Sequence, residues 1–594
     1  MGLSLVTTAM EQTWPEKGPV IFLGEWCRLY SRRERWLDID HEVAPYHWND
    51  PEKLREDQEH LSEIYEETLL DLAECLNGIH GTTHSLRYWR IVLGPWLRRF
   101  VDIIFDRWMS IVRVTTQYEI DNTICLLGVP GTTDVPDTQQ FLTIANSDEW
   151  NHAVYNRIIE SQTSINIERV EWKPSEALTA PYSQKPSLPL RDKIISSIIS
   201  NYSSVARRLI RDTDAVLYRT YTPRRYELAI QAKLWQVPIL HDYRSPLSRQ
   251  HETKLRDWSL TDNTASTVSQ VIRDMVPVYL PQSFLEHFEV SSDLLSKQGW
   301  PDRPKLIWTS NAHQNDDPFK MWSAAKIEQG TKFVIGQHGG RLGIQKSNLL
   351  DHELSVCDGY LSWGWGEEND RTIYPTAMLK MVTPRGKPVD NQGGLTLVTL
   401  TVPRYALTSD PQLGGQRWSD YFDQLCEFVQ ELPSAICEQT KIRLYPTDYD
   451  SNQRSRWLDR FRDAQFDSGL QTLDKSMVGQ RIVVSTYCST TYLESIAANI
   501  PTIVFWDPSY SNLLPLARSY IDVLENAGMF HNSARSAAEF VAMIWDDVGT
   551  WWESADVVMA RRTFSSQYCH MPKGVSSVVK EALRSVVDSP GEYS

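Results

Sequence analysis

Buried-strand patterns recur along this chain, separated by longer helical ones. Short apolar runs stand at residues 19–23 (PVIFL), 305–309 (KLIWT), 332–335 (KFVI), 356–363, 395–400 (LTLVTL) and 441–444, each ending in a polar or glycine-containing turn. Runs of this length suit strands covered on both faces. Strand, helix and strand in repetition predict an α/β fold with parallel sheets. The stretch 482–505 (IVVSTYCSTTYLESIAANIPTIVF) gives one such unit in full. Ile482, Val483 and Val484 read as a strand, Ser485, Thr486, Ser489, Thr490 and Thr491 as a hydroxyl-rich turn, and Leu493, Ile496 and Ala497 as one face of a helix. Pro501 closes the helix ahead of the next strand. The helix should begin near Ser489 or Thr490, where a hydroxyl caps free backbone N–H groups. Those amides and the positive end of the helix dipole form an anion site at the carboxyl end of a strand, where α/β sheets bind ligands. An ordinary Ser/Thr-capped crossover has the same pattern, and the turn alone does not separate the two.

The helical segments add organisation more than chemistry. Residues 53–79 are heavily charged, with Asp50-Pro51 marking the start of their helix and Gly81 its end. Residues 85–108 are aromatic and apolar, interrupted at Gly94-Pro95, and read as core; Arg98 and Arg99 there are either solvated or turned toward anionic lipid or a lipid-linked acceptor. Residues 171–192 are Pro- and Ser-rich and read as a loop. Residues 194–234 read as helical and basic, and 246–300 as a further helical insertion. A polar Pro/Gly linker at 385–394 divides the chain. The expected domains are an acceptor-side Rossmann-like domain at 1–384 with helical insertions at about 50–110 and 171–300, a second Rossmann-like domain at 395–560, and terminal helices at 561–594.

Composition narrows the function. A chain of 594 residues has room for several cores. A net charge of −16 argues against a general nucleic-acid binder. Eight scattered cysteines without C-x-x-C pairing read as reduced thiols of a cytoplasmic protein, with no structural metal. Neither a signal-peptide pattern nor a bilayer-length apolar run is present, so any contact with the inner membrane is expected to be peripheral, at its cytoplasmic face. The 22 Trp and 25 Tyr suit a sugar-binding cleft as well as a core.

Candidate site residues cluster at strand ends. The glycine-rich turn at 336–343 (GQHGGRLG) lets backbone approach a ligand and places Gln337 and His338 at a strand's end; the acidic residues Asp351 and Glu353 follow. Arg404 follows the 395–400 strand, and Arg443, Tyr445 and Pro446 stand at the end of the 441–444 strand.

Two such domains joined by a linker resemble GT-B glycosyltransferases. The ordered series FLGEWC, YHWNDPEKL, HSLRYWRIVLGPWL, DEWNH, GQHGGRLG, DHELSVCDGYLSWGW, IRLYPTDYD and STYCSTTYLESIAANIPTI more specifically resembles a bacterial family of transferases found in O-antigen and other surface-polysaccharide clusters. The C-terminal half is also similar to transferases that use CMP-activated ulosonic acids such as Kdo, or nonulosonic acids, and that carry a His-Pro motif and a serine motif near the cytidine phosphate. Tyr445-Pro446 stands in the first position, a departure that removes an imidazole, and Ser485 with Ser489, Thr490 and Thr491 matches the second. The resemblance implies a CMP-sugar donor as substrate, no cofactor, no catalytic metal, and a glycan or lipid-linked glycan acceptor. It places nucleotide and phosphate contacts on Tyr445, Pro446, Ser485, Thr486, Ser489, Thr490 and Thr491, supported by Arg404 and Arg443, with Glu494 on a ribose hydroxyl. It places Gln337 and His338 at the sugar or acceptor and Asp351 or Glu353 as base or nucleophile, leaving the choice of carboxylate and the stereochemical outcome open. Two other readings stand beside it: a transferase of the same architecture using a UDP- or GDP-hexose or a CDP-polyol, and a non-catalytic glycan-binding protein.

Overall fold

The structure is a computed structural model describing residues 2–174, 202, 206–243, 253–260, 266–366, 371–380, 392–410, 416–467, 476–477, 479–508 and 512–589. Most of the expected loop at 171–192 and of the linker at 385–394 lies outside the described residues.

Three parallel sheets organise the described residues. The first comprises β1 (Ser4–Val6), β2 (Val20–Phe22), β3 (His41–Val43), β4 (Asn122–Leu127) and β5 (Asn166–Glu171) in the order β3-β2-β1-β4-β5. The second runs β10-β9-β8-β7-β6, from β6 (Val216–Leu217), β7 (Leu306–Thr309), β8 (Lys332–Gly336), β9 (Gly359–Ser362) and β10 (Ile373–Pro375). The third contains β11 (Leu395–Val398), β12 (Thr440–Arg443), β13 (Gln465–Asp467), β14 (Ile482–Ser485), β15 (Thr502–Phe505) and β16 (Phe530–His531), ordered β13-β12-β11-β14-β15-β16. The central strands β7, β9, β11, β14 and β15 are buried at every position, as their unbroken apolar runs require. The second and third sheets are Rossmann-like and face each other across a cleft, the GT-B architecture.

The span 1–384 therefore holds two sheets where the sequence predicts one with insertions. Residues 4–171 build a sheet of their own, and part of the stretch read as helical at 194–234 is strand β6. β2 lies in the apolar run at 19–23, but strands as short as β1, β3 and β6 carry too little pattern to register as strands. The terminal helices also divide: helix Ala555–Tyr568 stays with the third sheet's helices, whereas helix Val575–Asp588 crosses to the second sheet, where Val579, Leu583 and Val586 join Trp308, Val334 and Leu361 in one core.

Helix Leu86–Gln117 is the spine of the first half. It packs against helices Pro51–His80, Asp148–Gln162, Asp317–Glu328 and Asn348–Val356. It runs unbroken through Gly94-Pro95, where the sequence predicts an interruption. Its burial on several sides outweighs the one hydrogen bond that Pro95 removes. At Gly94 a Cβ would meet the His352 ring and come 2.7 Å from the Tyr65 hydroxyl, so glycine is what lets helix Asn348–Val356 lie this close. Among the described residues no helix is long and apolar enough to cross a membrane.

Candidate active site

Strand order in the third sheet reverses at β11, which lies between β12 and β14. Ligands bind at such a switch point, outside the carboxyl ends of the strands. A cleft of about 560 Å³ occupies that place. Thr401, Val402 and Pro403 line it after β11, Tyr445 and Tyr449 after β12, and Thr486 through Thr491 after β14. From the second sheet, Gly339, Gly340 and Arg341 after β8 and Lys380 after β10 close the opposite side.

The β14 turn folds as its hydroxyls dictate. Ser489 caps helix Thr490–Ala497, its hydroxyl accepting from the Thr491 amide at 3.2 Å. The helix N-terminus, with its unpaired amides, therefore opens on the cleft. The Thr490 hydroxyl accepts from the Gly340 amide at 3.0 Å, joining the two sheets' loops directly. Lys380 adds a cation on the facing wall, its ammonium 2.6 Å from the Glu494 carboxylate, and Arg341 adds another, paired with Asp410. Tyr445 and Tyr449 stack at 6.2 Å between ring centroids. Tyr449, Asp450 and Asn452 all have positive φ, of 50°, 61° and 54°, a strained turn held by the Asp448 carboxylate, which accepts from the amides of Asn452 (2.8 Å) and Gln453 (3.0 Å).

Gly340 is a direct test of this closed arrangement. A Cβ there would lie 2.6 Å from the Ser489 carbonyl oxygen and 2.7 Å from the Thr490 Cα, backbone atoms with no freedom to swing aside. Gly340→Ala is expected to part the two loops at a cost of about 1–3 kcal/mol. Cleft-ligand affinity should fall about tenfold or more while circular dichroism stays unchanged.

Beneath the β8 turn lies a buried proton network. Helix Asn348–Val356 places Glu353, wholly buried, with one carboxylate oxygen 2.9 Å from His313 Nε2 and 3.7 Å from His338 Nδ1. Burial pushes the Glu353 carboxyl up to about 7, against the opposing pull of His338. Burial drives His313 down to about 3 and lowers His338 as well. His313 is thus neutral near pH 7 and donates its Nε2–H to Glu353. The Gln314 side-chain amide lies 2.9 Å from His338 Nε2 and donates to it, so that nitrogen keeps a lone pair and the Nδ1–H faces Glu353. His338 is 17% exposed and directly precedes the cleft-lining Gly339. Its ring is 6.5 Å from that of Tyr221, over which Lys380 lies at 5.9 Å.

The predicted residues divide accordingly. Tyr445, Thr486, Ser489, Thr490 and Thr491 meet in the cleft. The Thr486 hydroxyl is engaged there, donating to the Val398 carbonyl at 2.9 Å and lying 2.5 Å from the Tyr421 hydroxyl. Ser485 is fully buried as the last residue of β14 and does not line the cleft. Pro446 is exposed beyond the cleft. Arg443 lies at the sheet's far side with Asp467. Arg404 reaches away to the turn after β2 and the start of helix Asp148–Gln162, to the Trp26 carbonyl at 2.6 Å and Asp148 at 2.8 Å. Glu494 is taken up by Lys380. Gln337 does not face a substrate: its amide donates to the carbonyls of Gly339 (2.8 Å) and Leu342 (3.1 Å), and its oxygen accepts from the Trp363 amide and the Trp365 indole, both at 2.8 Å. It shapes the glycine turn. Asp351 is exposed on its helix, two residues from the buried Glu353, and does not line the cleft. Arg341, Lys380 and Tyr449 belong to the cleft and escaped the sequence reading, although Arg341 and Tyr449 sit inside the quoted GQHGGRLG and IRLYPTDYD motifs.

A family model described as LIC12162 family transferase matches residues 3–583. The chain belongs to the LIC12162 transferase family. A search of curated proteins matched none. Among solved structures, an O-GlcNAc transferase of Thermobaculum terrenum is 11% identical, with 89% of this chain and 98% of that one covered at a TM-score of 0.34. The glycosyltransferase SnogD of Streptomyces nogalater is 14% identical, with coverages of 63% and 100% and a TM-score of 0.34. MurG of Acinetobacter baumannii is 10% identical, with 63% and 99% covered at 0.32. At such scores the fold of this family member rests on its own strand order and connections.

Proposed function

We propose that this transferase moves a glycosyl group from a nucleotide sugar, seated in the cleft, to a glycan acceptor. The observation that carries the reading is the N-terminus of helix Thr490–Ala497 opening, at the switch point of the third sheet, into a cleft that the second sheet closes with Lys380 and Arg341. Breaking a glycosyl–phosphate bond leaves its electron pair on a phosphate oxygen, and helix amides with two cations stabilise that charge. The anomeric carbon, electron-poor as the bond lengthens, is attacked by an acceptor hydroxyl. The proton of that hydroxyl passes to His338 Nε2 once the hydroxyl displaces the Gln314 amide, and Glu353 holds the imidazolium that results. Tyr445 and Tyr449 provide an aromatic wall for the base.

The donor we favour is a CMP-activated ulosonic or nonulosonic acid, with a product in surface polysaccharide; the tyrosine of Tyr445-Pro446 offers a phenol hydrogen bond to phosphate in place of an imidazole. Eight cysteines without a disulfide suit the cytoplasm, and peripheral contact with the inner membrane would bring the enzyme to a lipid-linked acceptor. The reaction is expected to need no metal. Incubation with CMP-Kdo in EDTA, with CMP release followed by chromatography, tests the donor. Release from CMP-Kdo supports it, and release only from a UDP- or GDP-sugar replaces it. Ser489→Ala, which removes the cap hydroxyl, is expected to weaken nucleotide binding by about 1 kcal/mol, roughly fivefold, without unfolding the chain.

A further inference from the structure

A second cavity, of about 260 Å³, adjoins the first and shares Arg341, Val402 and Pro403 with it. Its far walls come from helix Leu86–Gln117 and from residues 403–410, which leave the third sheet after β11 and lie against the first half of the chain. Among the described residues, four arginines line it, Arg98, Arg99, Arg341 and Arg417, and one carboxylate, that of Asp410. Asp410 is already paired with Arg341 and accepts from the Asn348 amide at 3.0 Å.

Two of these guanidiniums, those of Arg98 and Arg99, are incompletely met among the described residues. Arg98 Nε stands 3.5 Å from Asp102 Oδ1 and its Nη1 donates to the Ser62 hydroxyl at 3.0 Å, while Asp102 Oδ2 accepts the Ser409 amide and hydroxyl at 2.8 and 2.9 Å. The buried Nη2 of Arg98 has no hydrogen-bond partner among the described residues. Arg99 has only neutral partners, Asn315 Oδ1 at 3.1 Å and Gln314 Oε1 at 3.4 Å, and among the described residues no carboxylate comes within ion-pair distance of it. Guanidiniums gathered against apolar walls such as Pro95, Leu142 and Leu407 repel one another and are poorly hydrated unless an anion joins them. The Gln314 amide that accepts from Arg99 also donates to His338, so occupation of this cavity is connected to the proton acceptor by two hydrogen bonds.

We propose that this cavity is the acceptor subsite for an oxyanion, a phosphate or carboxylate carried by the acceptor glycan near the hydroxyl that receives the sugar. The role as acceptor subsite rests on the glycosyltransferase reading; the binding of an oxyanion does not. Two or more guanidiniums converging on one anion give charge-assisted, bidentate hydrogen bonds, the chemistry that recognises both groups.

The test is a calorimetric titration of the full chain, pre-saturated with CMP, with inorganic phosphate and with methyl β-D-glucuronide, repeated on Arg99→Gln and Arg98→Gln. The expected result is binding of at least one probe that each substitution weakens about tenfold or more, with CMP affinity and the unfolding midpoint unchanged. Phosphate binding identifies a phosphorylated acceptor, and glucuronide binding an acidic sugar. Binding of neither probe, or binding that both variants retain in full, overturns the proposal. If CMP fails to bind while probe binding still depends on Arg98 and Arg99, the donor assignment falls and the oxyanion site stands.

Discussion

His338→Ala lowers turnover by about 10²–10⁴-fold and leaves nucleotide affinity unchanged, the loss expected for a proton acceptor used in the transition state. Glu353→Gln gives a loss of the same kind, because it removes the charge facing His338 Nδ1 at 3.7 Å without removing the group's shape. The two together cost little more than either, since they act as one unit. With its carboxyl pushed up to about 7, Glu353 gives the rate an acidic limb near that pH, rising as the carboxylate ionises, and the Gln variant loses that limb. The same shift affects stability in a defined direction. A carboxyl whose folded pKa is raised above its unfolded value of 4.5 contributes stability that is present below pH 4.5 and lost as pH rises through about 7. That loss amounts to about 3 kcal/mol. Glu353→Gln escapes it, so variant minus wild type should favour the variant progressively between those pH values in denaturant titrations.

Asp148→Ala is the substitution with the largest expected effect on stability. Asp148 is buried and accepts from the Ala9 amide at 3.1 Å, the Arg404 guanidinium at 2.8 Å and the Tyr405 hydroxyl at 2.5 Å. Its loss strands Arg404 between the first and third sheets, with the Trp26 carbonyl and, at 3.6 Å, Asp450 as remaining partners. Removing one partner of a buried ion pair costs about 3–5 kcal/mol, and the looser Asp450 contact keeps the expected loss toward the lower end. Residues 403–407 should then loosen from the first half of the chain, where Arg107 still holds the Ala406 carbonyl at 2.9 Å, whereas Ser409 and Asp410 stay tied to Asp102, Asn348 and Arg341. Hydrogen exchange of that segment should accelerate sharply. The double variant Asp148→Ala/Arg404→Met should recover much of the loss, because no charge remains buried. A double variant as unstable as Asp148→Ala alone would assign the effect to packing.

The parts of this molecule that were legible in sequence are those that use regular periodicity. Strands β7, β8, β11, β12, β14 and β15 lie within a residue or two of their apolar runs, β9 begins three residues into its run at 356–363, and the helix after β14 begins at the hydroxyl cap the sequence places there. Local chemistry at that turn depends on residues a few positions apart, which sequence displays directly. Long-range pairing does not: Arg404 follows β11 as a phosphate ligand would, yet its partner Asp148 lies 256 residues away. Gln337 and Glu353 have the residue types of a catalytic pair, but the sequence carries no sign that Trp363 and Trp365 occupy one and that burial hides the other. Of the first sheet the sequence showed only the run at 19–23 that becomes β2, because three-residue strands such as β1 and β3 lack a periodic signal of their own.

The central claim is that the cleft between the second and third sheets holds a nucleotide. Calorimetric titration of the purified chain with CMP, CDP, UDP and GDP, with and without EDTA, measures it directly. The account predicts selective CMP binding that EDTA leaves intact and that Ser489→Ala and Gly340→Ala both weaken. Absence of binding by all four nucleotides, or binding indifferent to both substitutions, would contradict it.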